Sequence, residues 1–179
     1  MEIGYLFLGK LVFIMKNASV FKVGEKIIDS DHIYLVYEIK NQKISASESR
    51  EYLCYKPLTA SGPKMTGAIP TDSAQKAGVR KLMSKSEIQA FLKMIKKTEP
   101  IEIIDYKIYK DILCLNDPVK TLPLLKALWI KKKEMNETFS RADQEILGTI
   151  MDHLVNEFSY VTKTDADIIR KKLQQNLSA

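Results

Sequence analysis

The hydrophobic period of this chain switches at Pro70, from alternation to helical spacing. Upstream, "KIID" (Lys26 to Asp29), "IYLVYEIK" (Ile33 to Lys40), "EYLCYKPL" (Glu51 to Leu58) and "KMTGAIP" (Lys64 to Pro70) are short runs separated by polar or Gly/Pro stretches. They are rich in β-branched and aromatic residues, the pattern of strands. In the second run Ile33, Leu35, Tyr37 and Ile39 alternate, which predicts one shared sheet face. About four or five strands of this length form a small antiparallel barrel or a curled sheet. "SASES" (Ser45 to Ser49) and "TASGP" (Thr59 to Pro63) are its hairpin tips.

Downstream, Ser84 followed by Glu87 reads as a capping box, and Ile88, Phe91, Leu92 and Ile95 mark one apolar stripe of a first helix over about 85–97. Ile101, Ile104, Ile108, Ile112 and Leu115 predict a second helix, with Tyr106, Lys107 and Lys110 on another face. Asp117 and Pro118 suit the cap and first position of a third, carrying Val119, Leu122, Leu125 and Trp129 inward. Pro123 falls too late for a first turn, which predicts a kink or a 3₁₀ turn between Asp117 and Leu122. Ser140 and Asp143 start a fourth helix with a stripe of Leu147, Ile150, Met151, Leu154 and Phe158, and Thr164 starts a fifth with Ile168, Ile169 and Leu173. Gly148 reads as a place of close helix approach. The fold class is α+β: an N-terminal extension (1–17), a β domain (18–72) and an all-α bundle of about five helices (73–179). Ile69 ends the last strand, Pro70 stops pairing, and Gly78 allows a sharp turn into the helices.

A chain of 179 residues with a formal charge of +6 favours an anionic partner. The positive charge is concentrated: Lys81 to Lys133 holds 12 basic and 6 acidic side chains, against 5 and 8 from Glu134 onward. That is either a nucleic-acid surface or a set of solvated helix faces. Cys54 and Cys114 lie far apart in apolar runs and read as buried free thiols of a reducing cytosol. His32 and His153 have no Cys or His at ligand spacing, so no metal site is implied. No Walker loop, GxSxG elbow or HExxH is present, and Asp105, Asp111 and Asp117 fall on different helix faces. Catalysis and a cofactor are therefore not expected. "MEIGYLFLGKLVFIMKN" carries Glu2 where a signal peptide wants positive charge, is interrupted by Lys10, and is short for a span. It reads as an added strand or as an extension upstream of a second candidate start at Met15, with a signal anchor ranked third.

"FKVGEKII" (Phe21 to Ile28), "IPTDSAQKAGVR" (Ile69 to Arg80), "MSKSEI" and "LWIKKKE" occur in the order and spacing of the bacterial CarD/CdnL group, which the chain resembles over roughly Phe21 to Leu173. That group shares its N-terminal module with transcription-repair coupling factors. The resemblance implies a Tudor-like β module that docks on the β subunit of RNA polymerase, and a helical domain that touches promoter DNA and stabilises the open complex without catalysis. It implies a cytoplasmic, monomeric protein with no membrane contact.

Residues carried over for polymerase are Lys64, Met65, Thr66, Gly67, Ala68 and Ile69, a strand edge able to pair through main-chain groups, together with Gln42. Gln42 and Ala68 match positions that are basic in some members. The Trp with which the family wedges the bubble fork falls on Asp105, beside Tyr106. For DNA, Lys107 and Lys110 match the basic positions after that Trp, Tyr106 could stack or pack, and Lys131 matches by alignment. Arg141 stands in a helix's first turn, where the dipole disfavours a cation, a cost that points to a ligand role. Trp129 matches the family's "LW" position and reads as core packing.

Overall fold

The computed structural model describes residues 21–30, 32–45, 48–58, 66–102, 106–114, 116–135 and 139–178, and of 106–108 and 135 the backbone alone. The extension 1–17, the tip at 59–63, Lys64, Met65, Ile104, Asp105 and Leu115 lie outside these residues. Five strands, β1 (Lys26–Asp29), β2 (His32–Lys43), β3 (Ser49–Pro57), β4 (Gly67–Pro70) and β5 (Arg80–Lys81), precede five helices, α1 (Lys85–Lys97), α2 (Tyr106–Cys114), α3 (Pro118–Met135), α4 (Arg141–Thr162) and α5 (Ala166–Leu177). The sheet is antiparallel throughout, in the order β4-β3-β2-β1-β5, and its ladder does not close on itself.

The β2 face departs from simple alternation. Val36 pairs with Tyr55 and Glu38 with Cys54, which leaves Tyr37 as a bulge. An inserted residue reverses the inward parity of everything after it. Tyr34 and Val36 before the bulge and Ile39 after it therefore meet the same core, together with Phe21, Ile27, Leu53 and Tyr55. Of the four residues expected to share a face, Ile39 alone joins this core, and Tyr37 is 42% exposed.

The junction after Pro70 folds back onto the sheet. Ala74 and Val79 are buried in the sheet's core, and Arg80 and Lys81 pair with Ile28 and Ile27 as the fifth strand. The sheet's packing unit thus runs through Lys81, past the 72/73 boundary read from the sequence. Gly78 has φ +83, and a Cβ there would stand 2.6 Å from the Cys114 carbonyl oxygen, so both its conformation and its space require glycine.

In the helical domain the caps are where the sequence places them. Ser84 and Glu87 form both hydrogen bonds of a capping box, and the Ser140 hydroxyl accepts from Asp143 N–H. The Asp117 carboxylate accepts from Val119 and Lys120 N–H. Buried side chains from α1, α3, α4 and α5 and from Tyr109 of α2 make one core, with Phe91 and Phe158 edge to face at 5.5 Å. Such a ring pair adds about 0.5–1.5 kcal/mol beyond area burial. Trp129 lies half-buried where α3 meets the end of α5, its Nε1 donating to Ser178 Oγ at 3.2 Å with Lys132 Nζ 5.7 Å from the ring centroid.

Several expectations are corrected. Of the two outcomes expected at Pro123, the 3₁₀ turn is absent: α3 is α-helical from Pro118 to Met135, Asp117 secures its first turn, and Leu122, Leu124, Leu125 and Leu128 are fully buried around the single missing N–H. Their burial offsets the roughly 3 kcal/mol that an interior proline costs. Helix α2 begins at Tyr106, not near Ile101, whose N–H instead donates to the Pro123 carbonyl. Helix α5 is capped by Asp165 rather than Thr164. Val119 and Ile168 are exposed, since apolar spacing alone does not say which flank of a stripe a neighbouring helix covers. Cys54 is buried as expected, but Cys114, at the end of α2, is exposed. Among the described residues no helix is long and apolar enough to cross a membrane.

Gly148 lies inside α4 with nothing within 4 Å of where a Cβ would stand, so it is not a site of close helix approach. Gly148→Ala should therefore stabilise the protein by about 1 kcal/mol, through helix propensity alone. The change would be read as a higher urea midpoint at unchanged slope. A lower midpoint would show that the space is not open.

Candidate partner-binding surfaces

Strand β4 ends the strand order, and among the described residues it pairs with β3 alone. The direction of its free groups follows from the ladder. Thr71 N–H donates to the Glu51 carbonyl at 2.9 Å, and hydrogen-bonded pairs alternate along an antiparallel ladder. Ile69 and Gly67 therefore bond to their partners Leu53 and Tyr55. The main-chain groups of Ala68, and of Thr66 just before the strand, point away from β3. Ala68 and Thr66 are exposed, while Ile69 packs against the sheet's core. Pro70, which has no N–H to offer, is the last residue of this edge. Gln42 is exposed two strands away, on β2 opposite Arg50, whose guanidinium pairs with Asp72 at 3.2 Å. It does not adjoin the β4 edge.

One tyrosine sets the curl that presents this edge. Tyr55 Oη donates to Asp29 Oδ2 at 2.8 Å, reaching from β3 past β2 to the end of β1. The same ring covers Gly67 of β4, where a Cβ would lie 2.4 Å from its Cζ. Tyr34 meets it edge to face at 5.1 Å. The start of β4 and the end of β1 are thus drawn toward one hydroxyl, although no ladder joins them.

The cations expected to meet DNA are placed differently from one another. Lys110 is exposed on α2. Lys107 and Tyr106 belong to the first turn of the same helix, their side chains lying outside the description. Lys131 instead turns its ammonium to Asp143 at 2.7 Å, a carboxylate that is fully buried and also accepts from Ser140 Oγ. Arg141, fully at the surface, pairs with Glu145 one turn on, which offsets its unfavourable position at a helix start. Lys126, not singled out from the sequence, donates to the Ile95 and Lys96 carbonyls at the end of α1.

Two groupings escaped the sequence reading. Arg80 and Glu157 form a bidentate pair at 2.8 and 2.6 Å between β5 and α4. Lys26 of β1 and Lys163, which caps α4, stand 5.3 and 4.4 Å from the centroid of Tyr160. Arg80 with Glu157, and Lys26 with Tyr160, lie far apart in the chain, and no local spacing connects them. Beside Arg80 a cavity of about 20 Å³, lined by Asn116, Thr121, His153 and others, has room for little more than one water molecule. Among the described residues no group of three or more His, Cys, Asp or Glu could hold a metal ion. No protein-family model matches the chain.

Burial first, and then the hydrogen bond to Asp29, push the Tyr55 hydroxyl well above its ordinary value of 10.0. The unfolded chain ionises this phenol first. Its contribution to stability is therefore full below pH 10 and is lost as pH rises beyond it. Between about pH 9 and pH 11 the wild type should lose stability relative to Tyr55→Phe, measured as denaturant midpoints. Parallel pH curves for the two proteins would refute the buried hydroxyl.

Proposed function

We propose that the chain is a CarD-like transcription regulator that acts by binding. In this reading the curled sheet is a Tudor-like module that docks on the β subunit of RNA polymerase, and the helical domain contacts promoter DNA without reading its sequence and stabilises the open complex. The protein works in the cytoplasm as a monomer and needs no cofactor. The observation that carries the reading is β4: an outer strand with Ala68 and Thr66 main-chain groups directed outward, in the segment where the resemblance puts the polymerase contact. An added strand gains affinity from main-chain hydrogen bonds, so it does not need the basic anchors that Gln42 and Ala68 replace. The remaining candidates for phosphate contact are Lys107 and Lys110 on α2.

A second reading, an adaptor that binds polymerase without productive DNA contact, draws on the engagement of Lys131 by Asp143 and of Arg141 by Glu145.

Proline substitution separates the two sides of β4. Ala68→Pro removes an outward N–H and should leave the fold intact while abolishing retention of the chain by immobilised polymerase. Ile69→Pro removes an inward N–H and should weaken the sheet itself. Undiminished retention of a folded A68P protein would sink the docking edge.

Salt dependence separates the regulator from the adaptor. Replacing both Lys107 and Lys110 by Ala should lower the slope of log affinity against log salt by about 0.9 per lost phosphate contact and shorten open-complex lifetime. Retention by polymerase should be unchanged. Equal slopes and lifetimes would leave the adaptor.

A further inference from the structure

Three elements distant in sequence meet at one guanidinium. Arg80 belongs to β5 and is paired to Ile28 of β1. Its Nη1 and Nη2 donate to the two carboxylate oxygens of Glu157 on α4, its Nε donates to the Asn116 carbonyl in the α2–α3 turn, and Nη1 also reaches the Lys81 carbonyl. Glu157 is fully buried and accepts a further bond from Met83 N–H at 2.7 Å. The α2–α3 turn is held a second time, by Asn116 Nδ2 donating to the Gly78 carbonyl at 3.0 Å and by the glycine's missing Cβ, which lets the Cys114 carbonyl approach. Three residues beyond Glu157, the Tyr160 ring carries Lys26 from β1, a separate tie between sheet and α4. Two ties at different points resist rotation as well as separation.

We propose that Arg80 is a positioning residue: it fixes the end of α2 against the sheet, so that the β4 edge and the α2 cations stand at one set distance and engage their two partners as a rigid pair. The inference rests on the polymerase and promoter reading above. Two weak contacts on one rigid body reinforce each other through effective concentration, and that gain is lost when geometry no longer allows both at once.

The test uses the full chain, spin-labelled at Lys56→Cys and Asp111→Cys, two exposed positions on β3 and α2, with Cys114→Ser to remove the exposed thiol. Arg80→Met alone would strand a buried carboxylate. The double variant Arg80→Met/Glu157→Leu removes both charges together, and circular dichroism and a urea midpoint check that it is folded before its distances are read. Gly78→Ala forces the α2–α3 turn away rather than freeing it. The wild type should show one narrow distance distribution, the double variant a broad one, and Gly78→Ala a displaced one. In unlabelled proteins, retention by polymerase should be equal while open-complex lifetime falls by about tenfold or more in both variants. A wild-type distribution as broad as the double variant's, or an unchanged lifetime despite a broadened distribution, would overturn the proposal. If the wild type itself leaves open complexes unaffected, the transcription reading falls, and the distances still decide whether Arg80 sets the spacing.

Discussion

Glu157 carries its charge at a position with no solvent exposure, and the relation between sheet and helices depends on how that charge is met. Taking an ion out of water costs several kcal/mol even after relaxation. Arg80 offsets this with a fork whose geometry matches both carboxylate oxygens, and Met83 N–H supplies a third bond. Removing either partner would strand the other, at a cost of about 3–5 kcal/mol. A hydrophobic seam of similar area would be as stable but would tolerate sliding. A bidentate pair does not.

The sheet solves a related problem with a bulge. A long β2 must serve the curled core near β1 and also run out into an exposed hairpin arm with β3. Tyr37 supplies the extra residue that bends the strand and resets its inward parity, and Tyr55 then holds the curl by reaching Asp29 over Tyr34. Gly67 is the counterpart on β4, open where any side chain would push that ring aside. The outer edge of β4 owes its direction to this arrangement.

Legibility followed the range of the interaction. The capping box at Ser84, the Ser140 cap, the bounds of β1 and the α4 stripe were readable because each is decided within a few residues. The bulge was not: "IYLVYEIK" alternates in sequence, and only pairing with β3 shows that Tyr37 is skipped. Strand β5 is two residues long, too short for any period. Arg80 and Glu157 lie 77 positions apart, so nothing local links them. Of the candidate site, β4 was legible as a strand from its β-branched content and terminal proline. Lys131 was carried over by alignment alone; its ion pair with Asp143, which joins α3 to the first turn of α4, is a contact that the helix-start reading of Ser140 and Asp143 did not reveal.

Trp129 is the single tryptophan of the chain and sits where α3 receives the end of α5, its indole N–H on Ser178 and one lysine beside its ring. The protein therefore carries an intrinsic optical probe at the edge of its helical core. Indole emission moves to longer wavelength when water reaches the ring, so release of α5 registers in the fluorescence spectrum without any label. The sheet contains no indole among its described residues and stays silent in that signal. Loss of the helical core can thus be followed by tryptophan emission alone, whereas the tyrosines, which lie in both the sheet (Tyr34, Tyr37, Tyr52, Tyr55) and the helices (Tyr106, Tyr109, Tyr160), report on the whole protein.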